Sequence, residues 1–122
     1  MLEEIGMAAI KRDFPIEKGA TFKEIFIWKD SAGNPKDLTG YTGKMHIRSS
    51  VESDEILVDL TTENSRIELN GSPGQILLRI EATVTKDFQW SDAVHDLFLT
   101  SPSGEVEKLF FGAVKAIDAI TR

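Results

Sequence analysis

The run His95-Asp96-Leu97-Phe98-Leu99-Thr100, the break Ser101-Pro102-Ser103-Gly104 and the run Glu105-Val106-Glu107-Lys108-Leu109-Phe110-Phe111-Gly112-Ala113-Val114 together describe a β-hairpin. Pro102 presets φ for a turn and Gly104 gives a permissive backbone, while the flanks carry residues suited to a pleated, half-buried surface. Such a hairpin points to an antiparallel β domain.

The rest of the chain repeats the theme. Residues 21–29 are rich in aromatic and β-branched side chains and end at Asp30-Ser31-Ala32-Gly33-Asn34-Pro35, a dense turn signal. Residues 41–48 alternate, with Tyr41, Met45 and Ile47 on one side and Thr42, Lys44, His46 and Arg48 on the other. Residues 56–61, 66–69 and 75–82 read as further short strands, and 83–89 as a helical turn or bend closed by Trp90. The prediction is an all-β antiparallel sandwich, immunoglobulin-like or related, of about 7–8 strands. Spacings this short leave no room for crossover helices, which argues against a parallel sheet.

With 122 residues the chain fits one domain with a core of its own. It has no cysteine, so disulfides and thiolate metal sites play no part. Apolar runs fall short of the roughly 20 residues of a membrane span and no leader pattern opens the chain, so a soluble, non-secreted protein without a membrane partner is expected. The 14 basic and 20 acidic residues give a formal charge of −6 without a basic block, which disfavours direct nucleic-acid binding.

No catalytic machinery can be assembled from the residues. His46 and His95 could join Asp59 or Asp96 at a metal, but nothing in the sequence fixes such a meeting, and ordinary strand histidines are the better reading. His95-Asp96 resembles two members of a triad, yet neighbouring strand residues point to opposite faces. No Gly-x-Ser-x-Gly elbow presents a serine, and Gly71-Ser72-Pro73-Gly74 lacks the lysine and helix of a phosphate loop. Glu52-Ser53-Asp54-Glu55 is acidic without calcium-loop spacing and reads as a solvated loop. The expectation is a non-enzymatic protein with no cofactor and no metal.

Two strands carry apolar residues on both faces: Phe22, Phe26 and Trp28 against Ile25 and Ile27, and Leu109, Phe111 and Ala113 against Phe110 and Val114. A two-layer sandwich needs one apolar face per strand, so the second must be covered by a loop, an arm or another protein. Residues 1–9 read as an N-terminal arm and 10–122 as the domain. The arm folds back on its own domain, stays loose or docks on a neighbouring subunit. Leu2, Ile5, Trp28 and Phe110 are the resulting interface candidates.

Ile16-Glu17-Lys18-Gly19-Ala20-Thr21-Phe22, then Asp37-Leu38-Thr39-Gly40-Tyr41, then Ile47-Arg48 resemble the opening of a domain common in tailed-bacteriophage virion proteins. In the same order follow Gly74-Gln75-Ile76, the Trp90 segment before Asp96-Leu97-Phe98-Leu99, Ser103-Gly104, Phe111-Gly112 and Thr121-Arg122. The pattern is similar to small phage tail and baseplate proteins, including the N-terminal domain of the lactococcal-phage baseplate upper protein. Unlike some of these, the chain carries no long helical or fibre-like extension, so the resemblance does not bring a direct fibre-holding role with it. It implies a structural protein of the virion, in the tail or baseplate, assembled in the host cytoplasm and joined to other virion proteins in symmetric copies. A head-decoration or head-to-tail connector role fits the same sandwich. A carbohydrate-binding module is a separate reading, in which at least two of Trp28, Tyr41 and Trp90 would stand exposed in one groove.

Overall fold

A computed structural model describes residues 9–121 and, as backbone, residues 2–5. Its strands are β1 (Leu2–Ile5), β2 (Ile10–Lys11), β3 (Phe14–Glu17), β4 (Phe22–Trp28), β5 (Thr42–Arg48), β6 (Val58–Thr61), β7 (Ile67–Leu69), β8 (Gln75–Ile80), β9 (Asp92–Thr100) and β10 (Val106–Ile117); the one-turn helix α1 (Ala82–Thr85) separates β8 from β9. They form two sheets. Sheet A runs β1-β4-β8-β7, and sheet B runs β2-β10-β9-β5-β6 with β3 also on β10. The inward faces of the two sheets share a single core, in which Phe26 of sheet A meets Phe110 of sheet B at 4.3 Å between ring centroids. The all-β, sandwich-like fold is therefore as the sequence predicts.

The C-terminal hairpin is the backbone of sheet B. Gly104 takes φ +94°, and Ser101 and Glu105 close the turn through a 2.8 Å main-chain hydrogen bond. The alternation read in residues 41–48 also holds, with Met45 and Ile47 buried and Lys44 exposed.

Pairing in the first strands departs from the purely antiparallel expectation. β1 lies parallel to β4, and β2 and β3 lie parallel to β10. No crossover helix is needed, because the chain passes from one sheet to the other between β1 and β2, and β10 lies far along the chain from β2 and β3. These three short strands lift the count above the expected 7–8, to ten strand segments among the described residues. Pro15 is accommodated in β3 because that strand is at an edge, where its missing N–H breaks no ladder.

The motif Asp37-Leu38-Thr39-Gly40 has a structural explanation. Asp37 Oδ1 accepts hydrogen bonds from the Thr39 N–H at 3.0 Å and from Thr39 Oγ1 at 2.7 Å, which bends the chain and drives Leu38 into the core. Gly40 follows at φ +80°, and a Cβ there would lie 2.7 Å from Pro102 Cγ, so the turn is seated against the hairpin tip.

Candidate functional site

The outer face of sheet B carries the candidate site. Cross-strand register places Asp59, His46, Asp96, Phe111 and Lys11 in one row across β6, β5, β9, β10 and β2. Lys44, Phe98 and Lys108 form the row on one side of it, and Arg48, Val94 and Ala113 the row on the other. Between them lies a concavity of about 650 Å³, lined by Lys11, Arg48 and Lys108 around Phe111 and Val94, with Val51 on the rim. Phe111 is 40% exposed and Val51 83%.

Polar contacts hold this face in shape. Lys108 Nζ stands 3.6 Å from Asp96 Oδ2 and lies over the Phe98 ring at 5.4 Å. Arg48 donates from Nη1 to the Ser53 carbonyl at 2.7 Å and from Nη2 to His46 Nδ1 at 3.2 Å. A guanidinium only donates, so His46 Nδ1 carries the lone pair and Nε2 the hydrogen. That Nε2 comes within 3.3 Å of Asp59 Oδ1 but is not aligned as a hydrogen bond.

His95 is on the opposite side of the sheet. It is buried, its ring 4.7 Å from that of Phe14, and Nε2 donates to the Arg12 carbonyl at 2.6 Å. Burial holds its pKa below the usual 6.5, so the ring is kept neutral. Arg12 and Asp13 form the kink between β2 and β3, where Asp13 Oδ1 accepts the Ala113 N–H at 2.9 Å. This bond is the main cause of the lowered pKa of Asp13. Opposite the kink, Gly112 leaves room for the Arg12 carbonyl, which a Cβ would meet at 2.5 Å. Arg12 Nη2 pairs in turn with Glu24 Oε1 of sheet A at 3.2 Å, tying the two sheets together at this edge. Histidine 95 thus belongs to the architecture. The two histidines lie on opposite faces of sheet B, and among the described residues no group of three His, Cys, Asp or Glu side chains is placed to hold a metal.

Two of the four interface candidates are corrected by the structure. Trp28 is 2% exposed and Phe110 0%, so both are core residues and neither is displayed to a neighbour. In β10 Phe110 shares the inward face of Val114 and Phe111 faces out, while a bulge, seen as a register shift between Lys108 and Phe110, turns Leu109 inward as well. Leu109 is the side chain that strand alternation alone misassigns, since a period of two groups it with Phe111 and Ala113. Gly112, isolated in a strand, is the one local signal of an irregular approach there. For Leu2 and Ile5, the backbone of β1 pairs with β4, while their side chains fall outside the described residues. The aromatic groove of a sugar-binding module is not assembled from the three residues expected to form it. Trp28 is buried with Tyr41 edge-on at 6.1 Å, whereas Trp90 lies against Phe88 at 4.6 Å.

Compared with known proteins, the chain matches no family model and no curated protein.

Proposed function

We propose that the chain is a non-enzymatic structural protein of a tailed-bacteriophage particle, working in the tail or baseplate through protein–protein contacts in symmetric copies. The observation that carries the contact reading is the outer face of sheet B. There Phe111 stands 40% exposed in a concavity edged by cations, the mixture of an aromatic anchor and a polar rim that suits protein contact. The order of sequence motifs supports the virion setting. Repetition about a symmetry axis raises the effective concentration of each contact, so a modest surface suffices in an assembly.

Immunogold labelling of intact virions with an antibody against the chain tests the setting. Gold at the tail end is expected; gold over the capsid would move the protein to head decoration or the connector. Absence from particles, with the epitope accessible in dissociated material, would refute the virion role. Phe111→Asp should lower incorporation while the isolated domain stays folded. Trp28→Ala cannot serve that purpose, because it opens the core.

A further inference from the structure

We propose that two copies of this chain dock on each other, the loop of residues 51–56 from each lying across the concave outer face of the other's sheet B. The inference deepens the contact reading above and rests on it for the choice of face.

The two surfaces are complementary in charge and in apolar content. The concavity presents Lys11, Arg48 and Lys108 against one lining carboxylate, Asp96, in a chain whose formal charge is −6. Lys11 also approaches Asp13 at 3.7 Å, with both side chains more than half exposed. The loop carries the opposite sign. Glu52, Asp54 and Glu55 are all exposed, and none of the three forms an ion pair among the described residues. Exposed apolar residues flank these carboxylates on the loop, Val51 at 83% and Ile56 at 40%, to match Phe111 and Val94 on the face. Opposite signs steer such surfaces together and disfavour the like-charged alternatives.

Geometry makes the pairing reciprocal. Val51 is on the rim of its own concavity, so a two-fold axis passing beside it brings each loop over the other copy's floor in one movement. The loop is already shaped for this. Arg48 holds the Ser53 carbonyl at 2.7 Å, and the Ser53 N–H bonds the Ser50 carbonyl at 3.2 Å, so little ordering remains to be done on docking.

Sedimentation equilibrium of the full chain tests the proposal. A dimer is expected, weakening as salt shortens the Debye length from about 8 Å at physiological ionic strength to about 3 Å at 1 M. A loop variant (E52K/D54K/E55K) and a face variant (K11E/K108E) should each raise the dimer Kd at least about tenfold, with circular dichroism unchanged. Mixed together, they should form a heterodimer, since the reversed loop meets the reversed face and the native loop meets the native face. A chain that stays monomeric to about 1 mM, or variants that dimerise singly as well as the native chain, would overturn the proposal. So would a mixture that fails to associate. These readings need no particle: a dimer without gold on virions removes the virion role alone, and gold with a monomeric chain removes the dimer alone.

Discussion

Gly112→Ala isolates the close approach that locks the N-terminal edge of sheet B. Gly112 does not lie at positive φ, so alanine fits its backbone and by itself would add about 0.5–1 kcal/mol of stability over glycine in a strand. The new methyl group, however, would sit 2.5 Å from the Arg12 carbonyl oxygen, 2.7 Å from Asp13 Oδ1 and 2.9 Å from the Arg12 carbonyl carbon. Two of these are backbone atoms and cannot swing aside as a side-chain end can. Moving the kink costs about 1–3 kcal/mol as overpacking. Releasing its hydrogen bonds to His95 and Ala113 costs about 1 kcal/mol each. Net of the backbone gain, a loss of about 2–4 kcal/mol is expected, or roughly 8–16 °C in Tm for a domain of this size. Urea unfolding followed by tryptophan fluorescence measures it, and faster hydrogen exchange at the Ala113 amide locates it. Gly71→Ala is the control, because its Cβ meets only the end of the Gln75 side chain, at 3.1 Å, and it should change stability by less than about 0.5 kcal/mol. A Gly112→Ala protein as stable as the native chain would refute the reasoning.

Phe110→Ala should cost about 3–5 kcal/mol in urea unfolding, as expected for a fully buried ring, whereas Phe111→Ala next to it should cost less than about 1 kcal/mol; equal losses would contradict the opposite facing of the two rings. Because His95 is depressed below 6.5 in the fold, the unfolded chain takes up a proton that the folded ring resists as pH falls through that value. Stability should therefore be level above 6.5 and decline below it, towards the folded pKa. Arg12 and Asp13 face the ring, and Asp96 neighbours it in β9. Asp13, Asp37 and Glu81, lowered from 3.8, 3.8 and 4.5, lose their contributions only in a more acidic range. His95→Gln should flatten the upper window, and an unchanged slope in pH-dependent unfolding would remove His95 as its source.

The hairpin and the strands from β4 onward were legible because their signals are local: Pro102 and Gly104 for a reversal, Met45 and Ile47 for a face, Leu97 and Leu99 for another. β2 and β3 were not, since each is too short to show a period and finds its partner in β10, whose Val114 is paired with Phe14. The candidate site was partly legible. The apolar excess around Phe110 and Phe111 marked β10 as unusual, but one inserted residue at Leu109 turns that side chain inward and leaves Phe111 without its expected neighbour on the outer face. Nothing in a period of two anticipates the inward turn of Leu109. Lys11, His46 and Lys108 could not be grouped from sequence, because only the ladder order of β2, β10, β9 and β5 brings them to one face.

The pairing of the earliest strands of sheet B with β10 also sets an order of events during synthesis. While the chain is growing, Phe14 and Ile16 have no sheet to join until β10 has been made, a hundred residues after the kink whose Asp13 receives the Ala113 amide. A chain that lacks β10 therefore leaves β9 open along one side and β2 and β3 without a strand to pair with. The Phe111 surface likewise comes into being only with β10, at the same step that closes the sheet.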